Sequence, residues 1–281
     1  MTGTEQDRVE AAVEVARRHG VDVTRPVLLR STNNLVVHLA PAPVVAKVGR
    51  LAEREGESAL AHELAVGIHL ARLGAPIAEP SPDLPPGVHH AGDLVITFWR
   101  YHEERNSGDI PCGRVGVAMR EVHRCLASYP APLPDFRLLR AGARALLGPG
   151  VSSRLKERDR EFLLAEHARI EAELAQASFQ RQPIHGGPHR YNWIDTGNRA
   201  LLVDLETVGL GPRELDVAYL GCEEEFPDLD RQLLRLLRDA VSLWVAVACW
   251  ARMDAVPDLA WHAAHHLGVL RAQAWRRERD P

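Results

Sequence analysis

A lysine, Lys47, stands alone among valines in VVAKV, and a glutamate, Glu63, flanks the apolar stripe of a helical stretch further on. Later the loop HGGPHRYN, His185 to Asn192, precedes the run ALLVDLE, which carries Asp204 and Glu206. Such parts suit phosphoryl transfer: an ammonium for phosphate oxygens, hard oxygen ligands for magnesium, and a carboxylate that orients the attacking hydroxyl. Asn192 and Asp204 fit the metal pair. A lysine inside a valine-rich strand needs a partner, and a helix carboxylate such as Glu63 can form an ion pair that keeps both groups charged. The competing accounts are an edge-strand lysine reaching solvent and a solvated helix glutamate.

These residues depend on the elements around them. TEQDRVEAAVEVARRHG predicts an amphipathic helix with Thr4 and Asp7 at its cap, Val9, Ala12, Val13 and Ala16 as its apolar stripe and Gly20 at its end. From Arg25 to Gly49, short β-branched runs broken by STNN and APAP predict three consecutive antiparallel strands, the third carrying Lys47. A second helix follows, with Leu60, Leu64, Ile68 and Leu70 at helical spacing and a stop at Gly74 and Pro76; DLVITFWRYH is a further strand. Beyond Tyr101 four long segments recur at three and four residues; in one, Leu155, Phe162, Leu163, Ile170 and Leu174 mark the buried side. Between the helices, WID, TGN and ALLVDLE read as a β-hairpin with Asp204 at a strand end and Glu206 on the same side by period-2 alternation. Strands first and helices later imply an α+β protein of two lobes, residues 1–100 and 101–281.

A formal net charge of -4 gives no electrostatic reason for a nucleic-acid partner. No run approaches the roughly 20 apolar residues of a membrane span, and MTGTEQDRVE lacks an apolar signal core. Four cysteines without a C-x-x-C pair suggest neither a zinc knuckle nor a disulfide framework, so reduced thiols and a cytoplasmic protein are the expectation.

The loop, the strand after it and the order of Lys47, Glu63, Asn192 and Asp204 resemble the aminoglycoside phosphotransferase and choline-kinase-like family. Its loop reads H-G-D-x-H-x-x-N and is followed by an apolar strand ending D-x-E. REVHRCL resembles the family's L-x-x-L-H segment at His123, HELAVGIHLARLGAPIAEP its E-x-x-x-L-x-x-L-x-x-x-G-x-P-x-P passage, and GLGPRELDVAYL its G-D-P-x-x-D-L-A segment at Asp216. STNNLVVHL matches G-x-x-N-x-V-Y at Asn34 and the alternation after it. The resemblance implies a bilobal protein-kinase-like α+β fold with a small antiparallel-sheet N-lobe and a larger helical C-lobe. It places Lys47 at the phosphates of ATP (or GTP), Glu63 as its ion-pair partner and Asn34 in the phosphate-covering hairpin. Asn192 and Asp204 become Mg2+ ligands, Phe98, Trp99, Arg100 and Tyr101 the adenine-binding hinge, and His185 a support for the loop.

Two positions depart from the family pattern. STNN has no glycine, so its amides reach phosphates only through the turn chemistry of Thr32, Asn33 and Asn34. Gly187 occupies the place of the catalytic aspartate. His189 and Glu206 are the candidate substitutes: an imidazole accepts a proton near neutral pH, and Glu206 stands two residues from the metal aspartate. The expected activity is phosphorylation of a hydroxyl on an unidentified small molecule by a monomer or homodimer. The alternative is a pseudokinase that binds nucleotide and transfers nothing.

Three further features are weighed against that frame. His262 and His266 have metal-ligand spacing but no third ligand. Trp244, Trp250, Trp261 and Trp275 are read as helical core in preference to an acceptor pocket. Glu223, Glu224 and Glu225 are read as a solvated loop in preference to a polyamine site.

Overall fold

The computed structural model describes residues 5–31, 34–51, 56–105, 110–136, 155–252 and 259–279. The cap at Thr4 and the turn residues Thr32 and Asn33 lie outside them. The chain divides into two compact units, residues 1–134 with 183–209, and residues 135–182 with 210–281.

In the first unit, α1 (Glu5–Arg18) leads into β1 (Val23–Ser31), β2 (Leu35–Pro41) and β3 (Val44–Arg50); after α2 (Gly56–Arg72) come β4 (His89–Ala91) and β5 (Leu94–Arg100). They form one five-stranded sheet in the order β1-β2-β3-β5-β4, with every pairing antiparallel. Alternation assigns its two faces. Val37, Ala46 and Phe98 lie opposite one another across three strands and join the core that includes Ala12 and Ala16 of α1. Val36, Lys47 and Thr97 form the next row and face the other side.

Gly67 of α2 packs on Trp99, and a Cβ at Gly67 would come within 2.7 Å of the indole. The ring is held by its Nε1, which donates to Thr97 Oγ1 at 3.0 Å. Alanine at position 67 would gain at most about 1 kcal/mol of helix propensity, whereas overpacking a rigid ring costs about 1–3 kcal/mol. Gly67→Ala is therefore expected to be destabilising, read as a lower urea midpoint with an unchanged m-value.

The unit also holds α3 (Cys112–Leu126), the last of β6 (Gln182–Ile184), and the hairpin β7 (Trp193–Asp195) and β8 (Ala200–Leu202). The turn between the two hairpin strands is closed by Thr196 N donating to Arg199 O at 3.0 Å, with Gly197 at φ 86°. The hairpin agrees with the sequence reading, but β8 ends before Asp204, and residues Leu205–Thr207 form a 3-10 turn.

β9 (Gly209–Gly211) leads into the second unit, which is helical: α4 (Glu157–Gln176), α5 (Arg213–Leu220), α6 (Arg231–Arg252) and α7 (Ala260–Arg279), with α4, α5 and α7 all packed on α6. Leu163 and Ile170 of α4 are buried as expected, but Phe162 and Leu174 are only half-buried, while Arg160, Glu166 and His167 are buried in their stead. For Glu166 the reason is a four-membered charge cluster. Arg169 reaches Glu166 at 2.8 Å and Asp239 at 2.7 Å, and Arg277 reaches the same two carboxylates at 2.7 and 2.5 Å. Polar residues are buried where each has a partner, which an apolar periodicity cannot register.

Core placement holds for none of the expected tryptophans outright: Trp244 and Trp250 are half-buried, and Trp261 and Trp275 are 65% and 57% exposed. Both exposed rings lie on the outward side of α7, where Trp261 stacks on His265. Cys125 and Cys249 are free and buried. No helix among the described residues is long and apolar enough to cross a membrane.

Candidate active site

Lys47 sits on β3, which has a strand on each side, so the edge-strand account fails and the side chain is 8% exposed. Its Nζ lies 2.8 Å from Glu63 Oε2, 2.8 Å from Asp204 Oδ1 and 2.6 Å from Glu206 Oε1. One ammonium thus faces three carboxylates. Burial alone would lower its pKa, but Glu63, Asp204 and Glu206 together outweigh it and hold Lys47 above the ordinary lysine range. Burial pushes the Glu63 carboxyl up, with Lys47 opposing. For Asp204 the desolvation is overcome by Lys47, which holds the carboxyl below its usual range.

Glu63 is 2% exposed, not a solvated helix residue. Its second oxygen, Oε1, accepts from the backbone N of Leu205 at 3.0 Å, so one side chain fixes both the lysine and the turn beyond β8. Asp204 begins that turn in the left-handed region, at φ 68° and ψ 62°. Strain of this kind in a non-glycine residue costs on the order of 1–3 kcal/mol and is retained where the surroundings enforce it. The turn, not strand alternation, brings Asp204 and Glu206 to the same ammonium. Asn34 Nδ2 donates to Glu206 Oε1 at 2.5 Å, and the bare Cα of Gly49 leaves it room, since a Cβ there would sit 2.9 Å from Asn34 Oδ1.

The HGGPHRYN loop is held from within. His185 is fully buried; its Nδ1 accepts from Gly187 N at 3.3 Å, which leaves Nε2 to donate to Val203 O at 3.4 Å. Gly186 must be glycine: its φ is 85°, and a Cβ would meet Thr207 O at 2.7 Å. Asn192 Nδ2 donates to Gly187 O at 3.1 Å, and Asn192 O accepts from Val203 N at 2.9 Å, which sets the asparagine beside the Asp204 turn. Its remaining atom, Oδ1, is buried with no hydrogen-bond partner among the described residues.

Gly187 differs from its neighbour. A Cβ there would meet only Thr207 Oγ1, at 3.7 Å, among the described residues. That hydroxyl donates to His185 O at 2.8 Å. Position 187 therefore has room for a Cβ among the described residues. No sequence motif marks Thr207. Of the two candidate substitutes, Glu206 is committed to Lys47 and Asn34. His189 is exposed on its loop, and desolvation lowers its pKa with Asp204 opposing.

The expected hinge ends β5. Phe98 and Trp99 are buried, Tyr101 is half-buried and Arg100 is exposed. Phe98 O accepts from Ser81 N at 3.0 Å, Arg100 N donates to Glu79 O at 2.9 Å, and Tyr101 N donates to Pro43 O at 2.8 Å. The Tyr101 ring stacks flat on His38, with centroids 3.6 Å apart.

Elsewhere, Glu223 pairs with Arg231 at 2.6 Å and with Arg238. Burial and the neighbouring His265 and His262 push His266 down to about 4. Among the described residues, the group of carboxylates close enough to share a cation is Glu63, Asp204 and Glu206, with ligand oxygens within 4.8 Å of one another.

The profile of the phosphotransferase enzyme family matches residues 22–256. The chain belongs to the phosphotransferase enzyme family. Its solved neighbours agree on the fold. A choline/ethanolamine kinase family protein from Mesorhizobium loti superposes with a TM-score of 0.65 at 19% identity, covering 96% of this chain and 94% of that one. Amicoumacin kinase hAmiN, solved with AMP-PNP, Ca2+ and Ami, gives 0.69 at 10% identity and covers 97% and 96%. Spectinomycin phosphotransferase APH(9)-Ia, solved with ADP and spectinomycin, gives 0.66 at 12% identity and covers 94% and 93%. The family member described here thus has the bilobal protein-kinase-like α+β fold. No curated protein sequence matches the chain.

Proposed function

We propose that the protein is a nucleotide- and Mg2+-dependent phosphotransferase that uses ATP (or GTP) to phosphorylate a hydroxyl of a small molecule. The observation that carries the reading is the buried Lys47 ammonium among Glu63, Asp204 and Glu206 beside an Asn192 oxygen without a partner among the described residues. One positive charge against three carboxylates leaves a negative excess that a divalent cation would neutralise. A buried carbonyl oxygen without a donor is a hard ligand in need of an electrophile. Asn192 and Asp204 would hold the cation, which when bound neutralises charge on the transferring phosphate.

Lys47 would turn from the carboxylates to the phosphates, with Glu63 retaining it in place. Glu206 and Asn34 would shape the phosphate side of the site, and residues 98–101 would flank the base. In this reading residues 1–100 bind nucleotide, and residues 101–281 supply the catalytic loop, the metal residues and the acceptor pocket. Neighbours solved with AMP-PNP, ADP and GDP support a nucleotide site of this kind. The protein would act in the cytoplasm, as a monomer or homodimer and without a nucleic-acid partner.

Calorimetric titration with Mg-ATP tests the reading. Micromolar to millimolar binding is expected for wild type, with a loss of about tenfold or more in Asp204→Asn, because a charged ligand contact is worth about 1.5–3 kcal/mol. Wild-type protein that binds neither Mg-ATP nor Mg-GTP would sink it. Gly187 favours a second reading, a nucleotide-binding pseudokinase. It predicts the same binding with no phosphate transfer to any acceptor.

A further inference from the structure

Lys47 already fills a cation position. Its Nζ lies 2.8 Å from Glu63 Oε2, 2.8 Å from Asp204 Oδ1 and 2.6 Å from Glu206 Oε1, and each of the three carboxylates offers an oxygen within 4.8 Å of the other two. Oxygens on opposite sides of a bound magnesium or calcium ion stand about 4–5 Å apart. The same side chains therefore suit a divalent cation or the ammonium, and the ammonium is in place.

Other contacts hold it there. Glu63 Oε1 accepts from Leu205 N at 3.0 Å, which fixes the carboxylate behind the lysine. Glu206 Oε1 faces Nζ and also accepts from Asn34 Nδ2 at 2.5 Å, so both lone pairs of that oxygen are engaged.

We propose that Lys47 is a tethered counter-ion that reserves Asp204 and Glu206 against metal until nucleotide arrives, so that the nucleotide-free protein takes up divalent cation poorly and the two load together. The inference rests on the phosphotransfer reading above and adds a regulation of the same site. A cation entering between Asp204 and Glu206 meets an ammonium on an oxygen of each, and like charges in one buried site oppose each other. Nucleotide phosphates reverse the balance. They offer Nζ other oxygens, and the flexible four-carbon stem lets the head group turn while Glu63 keeps its contact. Asp204 and Glu206 then recover the charge they shared with Nζ, beside the Asn192 Oδ1 that has no hydrogen-bond partner among the described residues. By linkage, nucleotide raises metal affinity by the factor by which metal raises nucleotide affinity.

The test is Mn2+ binding to the full chain without nucleotide, read by calorimetry and by the change in Tm. Wild type is expected to bind Mn2+ alone weakly. Lys47→Met should bind it about tenfold or more tighter, because the three carboxylates have lost their ammonium. Lys47→Arg, which keeps the charge, should stay within about threefold of wild type. Mn2+ at about ten times the Kd of Lys47→Met should raise the Tm of that variant by roughly 3–5 °C and that of wild type by roughly 1 °C or less. Should Lys47→Met fail to fold, Lys47→Met combined with Glu63→Leu carries the same comparison, since Asp204 and Glu206 again lack the ammonium and no isolated Glu63 charge remains. Wild type binding Mn2+ alone as tightly as the methionine variants overturns the proposal, and so does Lys47→Arg binding as tightly as they do. Mg-ATP binding by wild type then leaves the phosphotransfer reading standing. Absence of both Mg-ATP and Mg-GTP binding by wild type removes that reading and this proposal with it.

Discussion

Lys47→Met is expected to abolish Mg-ATP binding and to lower stability by about 3–5 kcal/mol, because removing one partner of a buried ion pair leaves the other charge uncompensated. Glu63 is 2% exposed and has no other cation among the described residues, and Asp204 and Glu206 lose the same ammonium. The double variant Lys47→Met with Glu63→Leu separates the two effects. Part of the stability should return, since the isolated charge is gone. The recovery is incomplete because Leu205 N loses the acceptor that Glu63 Oε1 provides, at a cost of about 1–3 kcal/mol. Nucleotide binding should not return. Urea unfolding and calorimetry read the two quantities independently, and a single variant as stable as wild type would contradict the electrostatic account of this site.

Gly187→Asp is expected to raise turnover of a neutral hydroxyl acceptor such as glycerol by about 10²- to 10⁴-fold, the usual contribution of a positioned general base. The backbone accepts the change: the nearest atom to a Cβ is Thr207 Oγ1 at 3.7 Å, so stability should stay within about 0.5 kcal/mol. An unchanged rate with an acceptor that does turn over would point to another proton acceptor. His189 is then the residue to replace, since Glu206 is engaged by Lys47 and Asn34.

Much of the site was legible because each part sits in an element with a strong local signature. A valine-rich strand announces Lys47, an apolar stripe announces the helix of Glu63, and the turn-bounded run before VDLE announces the hairpin that delivers Asp204. What failed to show were contacts whose partners are far apart in sequence. Glu166, Arg169, Asp239 and Arg277 come from three helices, and their burial depends on mutual neutralisation. The exposure of Trp261 and Trp275 is hidden for the converse reason: an aromatic at helical spacing does not say which face of its helix finds a neighbour.

The sequence by itself determined the α+β order, the family pattern and the loss of an acid at position 187, since these are matters of residue type and spacing. The tertiary structure decided what that loss means. It showed that a Cβ at position 187 would meet only Thr207 Oγ1 among the described residues and that Glu206 is engaged, because only folding brings Glu63, Asp204 and Glu206 onto Lys47 and Asn34 onto Glu206.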